Sequence, residues 1–268
     1  MTATPHAISS RDNPLLKRLR LLAHDSTAYR KLGQVWLEGD HLCRALLARG
    51  QRPVTAVFTE SFWVQAPHDL RDAADHVVTV PDGLMAGISG LESPAGVGFV
   101  WALPEAASVQ AGVATVVLDR LQDAGNVGSI LRSAGAFGFH QVVALKGTAA
   151  LWSPKVVRAG MGAHFGLRLV ESLSPDDVEV LGVPLIVTSS HRGHWLHEAR
   201  LPWPCAWVLG HEGQGVSTAL EELAAHAVRI AQPGGEESLN VAAAAAICLH
   251  ASGAQQGTSG QSAGRQTL

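Results

Sequence analysis

From Ala114 onward the sequence returns repeatedly to short, unbroken apolar runs, each followed by a polar turn and a stretch with helical spacing. ATVVLD (114–119), QVVALK (141–146), PLIVTSS (184–190), CAWVLG (205–210) and AVRI (227–230) are the runs. A strand that is apolar on both sides needs cover on both faces of its sheet. Strands joined through helices run parallel. Helices are expected over about 126–137, 154–161, 217–225 and 239–251. This half therefore reads as an α/β fold with a mostly parallel sheet. Ligands of such sheets bind outside the carboxyl ends of the strands.

The first part reads as a smaller α/β domain over 1–104. Asn13 can cap a helix with Pro14 at its first position, and LLKRLRLL then places Leu15, Leu16, Leu19 and Leu22 on one face. QVWLEG, VTAVFTE, HVVTVP and GVGFVWAL read as strands, and DHLCRALLARG as a helix closed by Gly50. Residues 105–112 have the Pro, Ala, Ser and Gly chemistry of a linker, and a second domain follows over 113–252. The low-complexity tail, 253–268, is expected to be disordered.

A net charge of −3 gives no overall attraction to nucleic acid, so any such binding needs a local basic surface. Two stretches offer one. Six basic residues fall between Arg11 and Lys31, among them Lys17, Arg18 and Arg20; a second stretch, 141–170, carries Lys155 and Arg158 and no acid. Cys43, Cys205 and Cys248 are too few and too far apart for a disulfide framework or a zinc-thiolate site. HRGHWLH (191–197) spaces three histidines, but Gly193 breaks the helix that would converge them, so no metal is expected. The longest apolar run, Val241–Leu249, is too short to span a bilayer, and the first residues lack a signal-peptide core. The expectation is a cytoplasmic protein without a membrane segment.

Three segments could carry chemistry. LDRLQDAGNVGSILRSAGAFG (118–138) brings an amide, Asn126, and a guanidinium, Arg132, to a helix that starts at a strand's carboxyl end. WVLGHEGQGVS (207–217) sets Glu212 among Gly210, Gly213 and Gly215, with the spacing GxxGxG and not the GxGxxG of dinucleotide folds. IAQPGGEESLNVAAAAAICLH (230–250) runs through a Pro-Gly-Gly turn to Ser238 and Asn240 before an alanine-rich helix. Alone, the first and third read more readily as structure, a helix cap at Asn126 and a cap at Ser238, and the second reads equally well as a tight turn at 210–215.

Together, in this order, they resemble the three motifs of the SpoU/TrmH family of SPOUT methyltransferases. NxGxxxR is met by Asn126, Gly128 and Arg132; LGxEGxG by Leu209, Gly210, Glu212, Gly213 and Gly215; SLNV by Ser238, Leu239, Asn240 and Val241. A fainter likeness at ISSRDNPLLKRLRLL and VWLEGDHLCRALL resembles the family's ribosomal-protein-like substrate-binding domain. The resemblance implies a trefoil knot, a homodimer, S-adenosylmethionine as cofactor and RNA as substrate, with methyl transfer to a ribose 2′-hydroxyl. By matching positions it implies cofactor contacts near Leu209, Gly210, Gly215, Ile230 and Leu239, and a catalytic group of Arg132, Asn126, Glu212, Ser238 and Asn240. Where relatives carry Pro-Met after the strand, this chain has Ala231–Gln232.

The family gives the residue matching Arg132 the role of base. A guanidinium is always charged and accepts nothing. Arg132 is therefore expected to hold the RNA phosphate or 2′-oxygen, with Asn126, Glu212 and Asn240 positioning it. Lys17, Arg18, Arg20, Lys155 and Arg158 are the expected RNA surface. A separate recruiting domain favours ribosomal RNA over tRNA. The alternatives are a tRNA ribose methyltransferase and a non-catalytic RNA-binding protein that retains the fold.

Overall fold

The computed structural model describes residues 4–189, 192–234 and 239–263, with side chains to Gln256. Its contacts divide it into two units, residues 1–105 with 152–165, and residues 106–151 with 166–268.

The first unit contains β1 (His6–Ala7), α1 (Pro14–His24), α2 (Ala28–Leu32), β2 (Gln34–Glu38), α3 (Asp40–Leu47), β3 (Thr55–Thr59), α4 (Glu60–Gln65), α5 (His68–Arg71), β4 (His76–Val80), α6 (Asp82–Ala86) and β5 (Val97–Ala102). Its five-stranded sheet has the order β1-β4-β3-β5-β2, with β5 antiparallel to both neighbours. The Asn13 carboxamide oxygen accepts from the backbone N–H of Leu15 at 2.8 Å and starts α1 with Pro14 at its first position. Leu16, Leu19 and Leu22 are buried beneath it, as the 3.6-residue period requires.

The second unit opens with β6 (Thr115–Asp119), α7 (Ala124–Ala136) and β7 (Gln141–Leu145). The chain then returns to the first unit for α8 (Pro154–Gly160) and the 3-10 turn Ala163–Gly166. It re-enters the second unit as β8 (Arg168–Leu173), β9 (Leu185–Thr188), β10 (His194–Trp195), β11 (Ala206–Gly210), α9 (Thr218–Leu223), β12 (His226–Arg229) and α10 (Val241–Ala263). The seven strands form one sheet, β10-β12-β9-β11-β6-β7-β8, in which every pair is parallel. The parallel α/β sheet expected from the apolar runs is present, with β8 and β10 added at its two edges.

Three boundaries differ from expectation. The helix 154–160 packs against α1 and β2 of the first unit. Ser153 caps it and accepts from Val156, and Arg158 donates to the Gly90 carbonyl at 3.1 Å. The segment expected as linker is tied down from 106 on. Buried Gln141 accepts from the Gln110 N–H at 2.8 Å and donates to the Gln110 carbonyl at 3.0 Å, so this stretch belongs to the second unit. The tail expected to be disordered from 253 stays helical to Ala263. Side chains explain it: buried Ser252 accepts from the Trp207 indole at 2.9 Å, and Gln255 donates to Ala199 and accepts from Leu201. At Gly253 an added Cβ would lie 2.9 Å from the Phe137 carbonyl, so the helix axis passes close to the end of α7.

β6 and β11 lie side by side at the centre of this sheet, with Asp119 opposite Gly210. The chain leaves β6 toward β7 on one side and leaves β11 toward β12 on the other. Adjacent parallel strands whose exits diverge open a crevice at their carboxyl ends, the place where open α/β sheets hold ligands.

Candidate active site

The three sequence motifs meet at that crevice. Asn126 lies in the first turn of α7, where Asp123 is the cap and accepts from the Asn126 N–H at 2.7 Å. Asp123, and not Asn126, is therefore the cap. Asn240 caps α10: its carboxamide oxygen accepts from Ala242 at 2.9 Å and Ala243 at 3.2 Å. Ser238, expected both as a cap and as a catalytic residue, lies outside the described residues.

The side chains form an ordered relay. Asn240 Nδ2 donates to Asn126 Oδ1 at 3.0 Å, and Asn126 Nδ2 donates to Glu212 Oε1 at 3.2 Å. Chemistry fixes the direction. Backbone N–H groups of α10 can only donate, so Asn240 turns its oxygen to the helix and its nitrogen to Asn126. Asn126 must then present oxygen to Asn240, and its nitrogen meets an ionised carboxylate, which only accepts. Glu212 also accepts from the backbone N–H of Gln122 at 3.4 Å and of Asp123 at 3.3 Å. Partial burial alone would raise its carboxyl. The backbone N–H of Glu212 itself, the Asn126 amide and the N–H groups of Asp123 and Gln122 outweigh burial and hold it below the usual glutamate range.

The glycine loop is shaped for this. An added Cβ at Gly210 would fall 2.2 Å from the carbonyl carbon of Gly215 and the nitrogen of Val216, so only glycine permits the fold-back. Gly215 has φ of +71° and exchanges two backbone hydrogen bonds with His211, at 3.0 and 2.8 Å. His211 Nδ1 accepts from the N–H groups of Gly213 and Gln214.

A second set of contacts, not anticipated from sequence, anchors the same loop. Asp119 is buried at the end of β6; it accepts from the Ser217 N–H at 2.6 Å and pairs with Arg120 at 2.9 Å. Arg120, at φ of +61°, extends to Gln214 Oε1 at 3.1 Å. The signal available in sequence was an acid and a base at the end of a strand, LDR, which reads equally well as turn chemistry.

The remaining expected residues divide by position. Leu209 is buried within β11, and Gly210 ends that strand. Ile230 directly follows β12, whose carboxyl end lies on the same edge of the sheet. Leu239 is 39% exposed, immediately before Asn240. Gly215 and Gly234 have open space where a Cβ would stand. Gln232 Oε1 is buried and has no hydrogen-bond partner among the described residues, an arrangement that asks for an external donor. Arg132 is exposed on α7 and makes no hydrogen bond or ion pair among the described residues, so it stands outside the relay. It lies six residues after Asn126, about 9 Å along the axis and roughly 120° around it.

Lys17, Arg18 and Arg20 ride on α1, and Lys155 and Arg158 on α8, so two basic stretches distant in sequence sit on neighbouring helices of one unit. Lys17 pairs with Asp12 at 3.1 Å, and Arg20 donates to the Arg11 carbonyl at 3.0 Å. His194 and His197 are exposed, while His191 lies outside the described residues.

Residues 114–250 match the SpoU rRNA Methylase family. The chain is 33% identical over 270 residues to an uncharacterized tRNA/rRNA methyltransferase of Synechocystis, covering 96% of each chain. It is 30% identical over 247 residues to the Bacillus subtilis 23S rRNA (guanosine(2553)-2′-O)-methyltransferase RlmP, covering 91% of this chain and 97% of that one. The SpoU methyltransferase AviRb of Streptomyces viridochromogenes, solved in complex with the cofactor AdoMet, superposes with a TM-score of 0.79 at 25% identity, over 92% of this chain and 100% of that one. With its three motifs joined at the carboxyl edge of a parallel sheet, the chain belongs to the SpoU rRNA methylase family.

Proposed function

We propose that this protein transfers a methyl group from S-adenosylmethionine to a ribose 2′-hydroxyl of ribosomal RNA. The observation that carries this reading is the relay Asn240–Asn126–Glu212, which ties all three motif segments together beside the β6–β11 crevice. Open backbone at Gly215 and Gly234 and the unpaired acceptor of Gln232 fit a cofactor with several hydrogen-bonding groups, held between the loops after β11 and β12. Backbone at Gly210, Gly215, Ile230 and Leu239 would hold it. S-adenosylmethionine supplies a methyl group on a sulfonium, already activated for attack.

The protein's part is alignment and charge. The relay and the Asp123 cap fix the first turn of α7, and Arg132 rides on the same rigid helix. Its guanidinium stays protonated, grips an RNA phosphate or the attacking 2′-oxygen, and stabilises the negative charge that develops there; the hydroxyl proton passes to water as the O–CH3 bond forms and the sulfonium C–S bond breaks, leaving a neutral thioether. Glu212 remains ionised and occupied by its donors, so it serves as an anchor and not as a proton acceptor. Holding the reacting atoms in line accounts for much of the barrier reduction such a transfer needs. The outward face of α10, with Ala243, Ile247, His250 and Ala254 at 4-3-4 spacing and Ile247 42% exposed, supports pairing of two copies. The basic residues of α1 and α8 are the RNA-recruiting surface, and the compartment is the cytoplasm.

The test is transfer of tritium from labelled S-adenosylmethionine to purified ribosomal RNA and to tRNA, with calorimetry for the cofactor. Binding of the cofactor with label in ribosomal RNA supports the reading. Label confined to tRNA contradicts the substrate, and no label in either contradicts the activity.

A further inference from the structure

At the edge of the large sheet, away from the relay, aromatic and cationic groups come together. Trp195 lies on β10, in register with Arg229 of β12. The Arg229 guanidinium carbon stands 4.1 Å from the centroid of the Trp195 ring, and its Nε donates to the Gly193 carbonyl at 3.1 Å. The His197 ring is nearly parallel to Trp195, at 26° and 6.5 Å between centroids. A Cβ at Gly193 would strike the Ala227 carbonyl oxygen at 2.1 Å, so glycine seats this strand against β12.

The arrangement is ordered yet open. Trp195 keeps 37% of its surface exposed. Arg192 is neutralised by Glu221 at 3.0 Å, and His197 faces Glu198 at 3.6 Å. Arg229 has no carboxylate partner among the described residues. Blunting an exposed sheet edge needs only a short strand and a charge. A large, partly exposed aromatic ring beside a guanidinium that meets no carboxylate among the described residues goes beyond that purpose. A flat π-surface with an adjacent cation suits one chemistry above others: an unpaired nucleobase stacked on the ring, with its phosphate on the cation.

We propose that Trp195 and Arg229 form a stacking platform for an unpaired nucleotide of the RNA. The inference rests on RNA being the substrate. It adds a subsite to that reading, because Arg229 immediately precedes Ile230, at which cofactor contact is proposed. A nucleotide held there, at the edge of the sheet that carries the crevice, would help fix the register of the strand being modified. A second copy of this chain seated on Trp195 is the competing occupant.

The experiment uses the full chain and a fluorescein-labelled single-stranded oligoadenylate decamer, with binding read by anisotropy across a salt series. Trp195→Ala is expected to weaken binding about 5- to 150-fold, the range for loss of one base–aromatic stack. Trp195→Phe is expected to recover most of that loss. Arg229→Gln is expected to lower the slope of log Kd against log salt by about 0.7, one single-strand phosphate contact. Calorimetry with S-adenosylmethionine checks that each variant retains the cofactor site, and sedimentation reads its oligomeric state. Unchanged affinity in both Trp195→Ala and Arg229→Gln overturns the platform, as does wild-type protein that fails to bind the decamer. Dissociation of Trp195→Ala into monomers also overturns it in favour of a second copy. Methyl transfer to ribosomal RNA, measured in parallel, judges the activity separately: a platform that binds the decamer in a protein that transfers nothing sinks the enzymatic reading alone.

Discussion

Replacing Asn240 by Asp separates the two duties that its carboxamide performs. The oxygen caps α10 through Ala242 and Ala243; the nitrogen drives the relay through Asn126. Asn240→Ala removes both. Losing the cap costs about 1 kcal/mol, and the exposed amide–amide bond contributes roughly 0.5–1 kcal/mol. A loss of about 1.5–2 kcal/mol lowers Tm by roughly 3–8 °C in a unit of this size. Asn240→Asp keeps an oxygen for the cap, and a carboxylate at a helix amino terminus adds about 0.3–1 kcal/mol, which offsets the lost donor to within roughly 1 kcal/mol. Tm should therefore move by no more than about 3 °C. The relay fails all the same. An acceptor now faces Asn126 Oδ1, and if Asn126 flips to donate to it, its oxygen turns against the Glu212 carboxylate. Either way the Glu212 loop loses an anchor, and displacement of reacting groups on the 1 Å scale costs about 10²-fold in rate. Calorimetric unfolding and single-turnover transfer at saturating cofactor read the two effects. If Asn240→Asp keeps more than half the wild-type rate, or destabilises as much as Asn240→Ala, the directed relay is wrong.

Other outcomes follow from single contacts. The Glu212 carboxyl, held low by donors that outweigh burial, should titrate by NMR below the ordinary glutamate value of 4.5. A depressed carboxylate contributes stability that is present above that value and lost as pH falls through the folded one, so the 210–217 loop should loosen only in acid, and a midpoint at or above 4.5 contradicts the anchoring. Gly210→Ala drives a methyl into the 215–216 backbone and should cost at least about 1–3 kcal/mol; a neutral Tm shows that the fold-back is not tight. Gln232→Leu removes a buried unpaired acceptor, so it should raise the Tm of the free protein while weakening S-adenosylmethionine binding several-fold, and tighter binding would place Gln232 away from the cofactor. The Cys205 and Cys248 thiols, pushed by burial to about 11 and about 12, should resist a thiol reagent until the protein unfolds.

The central strands of the large sheet were legible because they are buried on both faces. β6, β7, β9 and β11 are nearly continuous apolar runs found within one or two residues of their expected bounds, and β12, with only Val228 buried, is found within one. β8 was not, because RLVESL lies at the sheet edge, half-exposed, and lacks such a run. The placement of α8 in the first unit was not legible either. Its cap and Pro154 announce a helix, but nothing local says that a segment between two strands of one sheet packs against α1. The tail's low complexity hid three contacts, at Ser252, Gly253 and Gln255, that hold α10 beyond residue 251. At the site, Asn126, Glu212 and Asn240 were found through motif spacing, and the hydrogen bonds among them join residues 86 and 114 positions apart. Asp119 and Arg120 were missed because an acid and a base at a strand end are common turn residues. Their contact with Ser217 and Gln214 exists only once β6 and β11 lie side by side.

Mapping of 2′-O-methyl positions in total RNA from cells with and without this protein tests the central claim most directly. The expected result is one ribosomal RNA ribose that is methylated with the wild-type chain and unmodified with Arg132→Ala. A methylation pattern identical in cells with and without the protein contradicts the assignment of ribose methyl transfer to this chain.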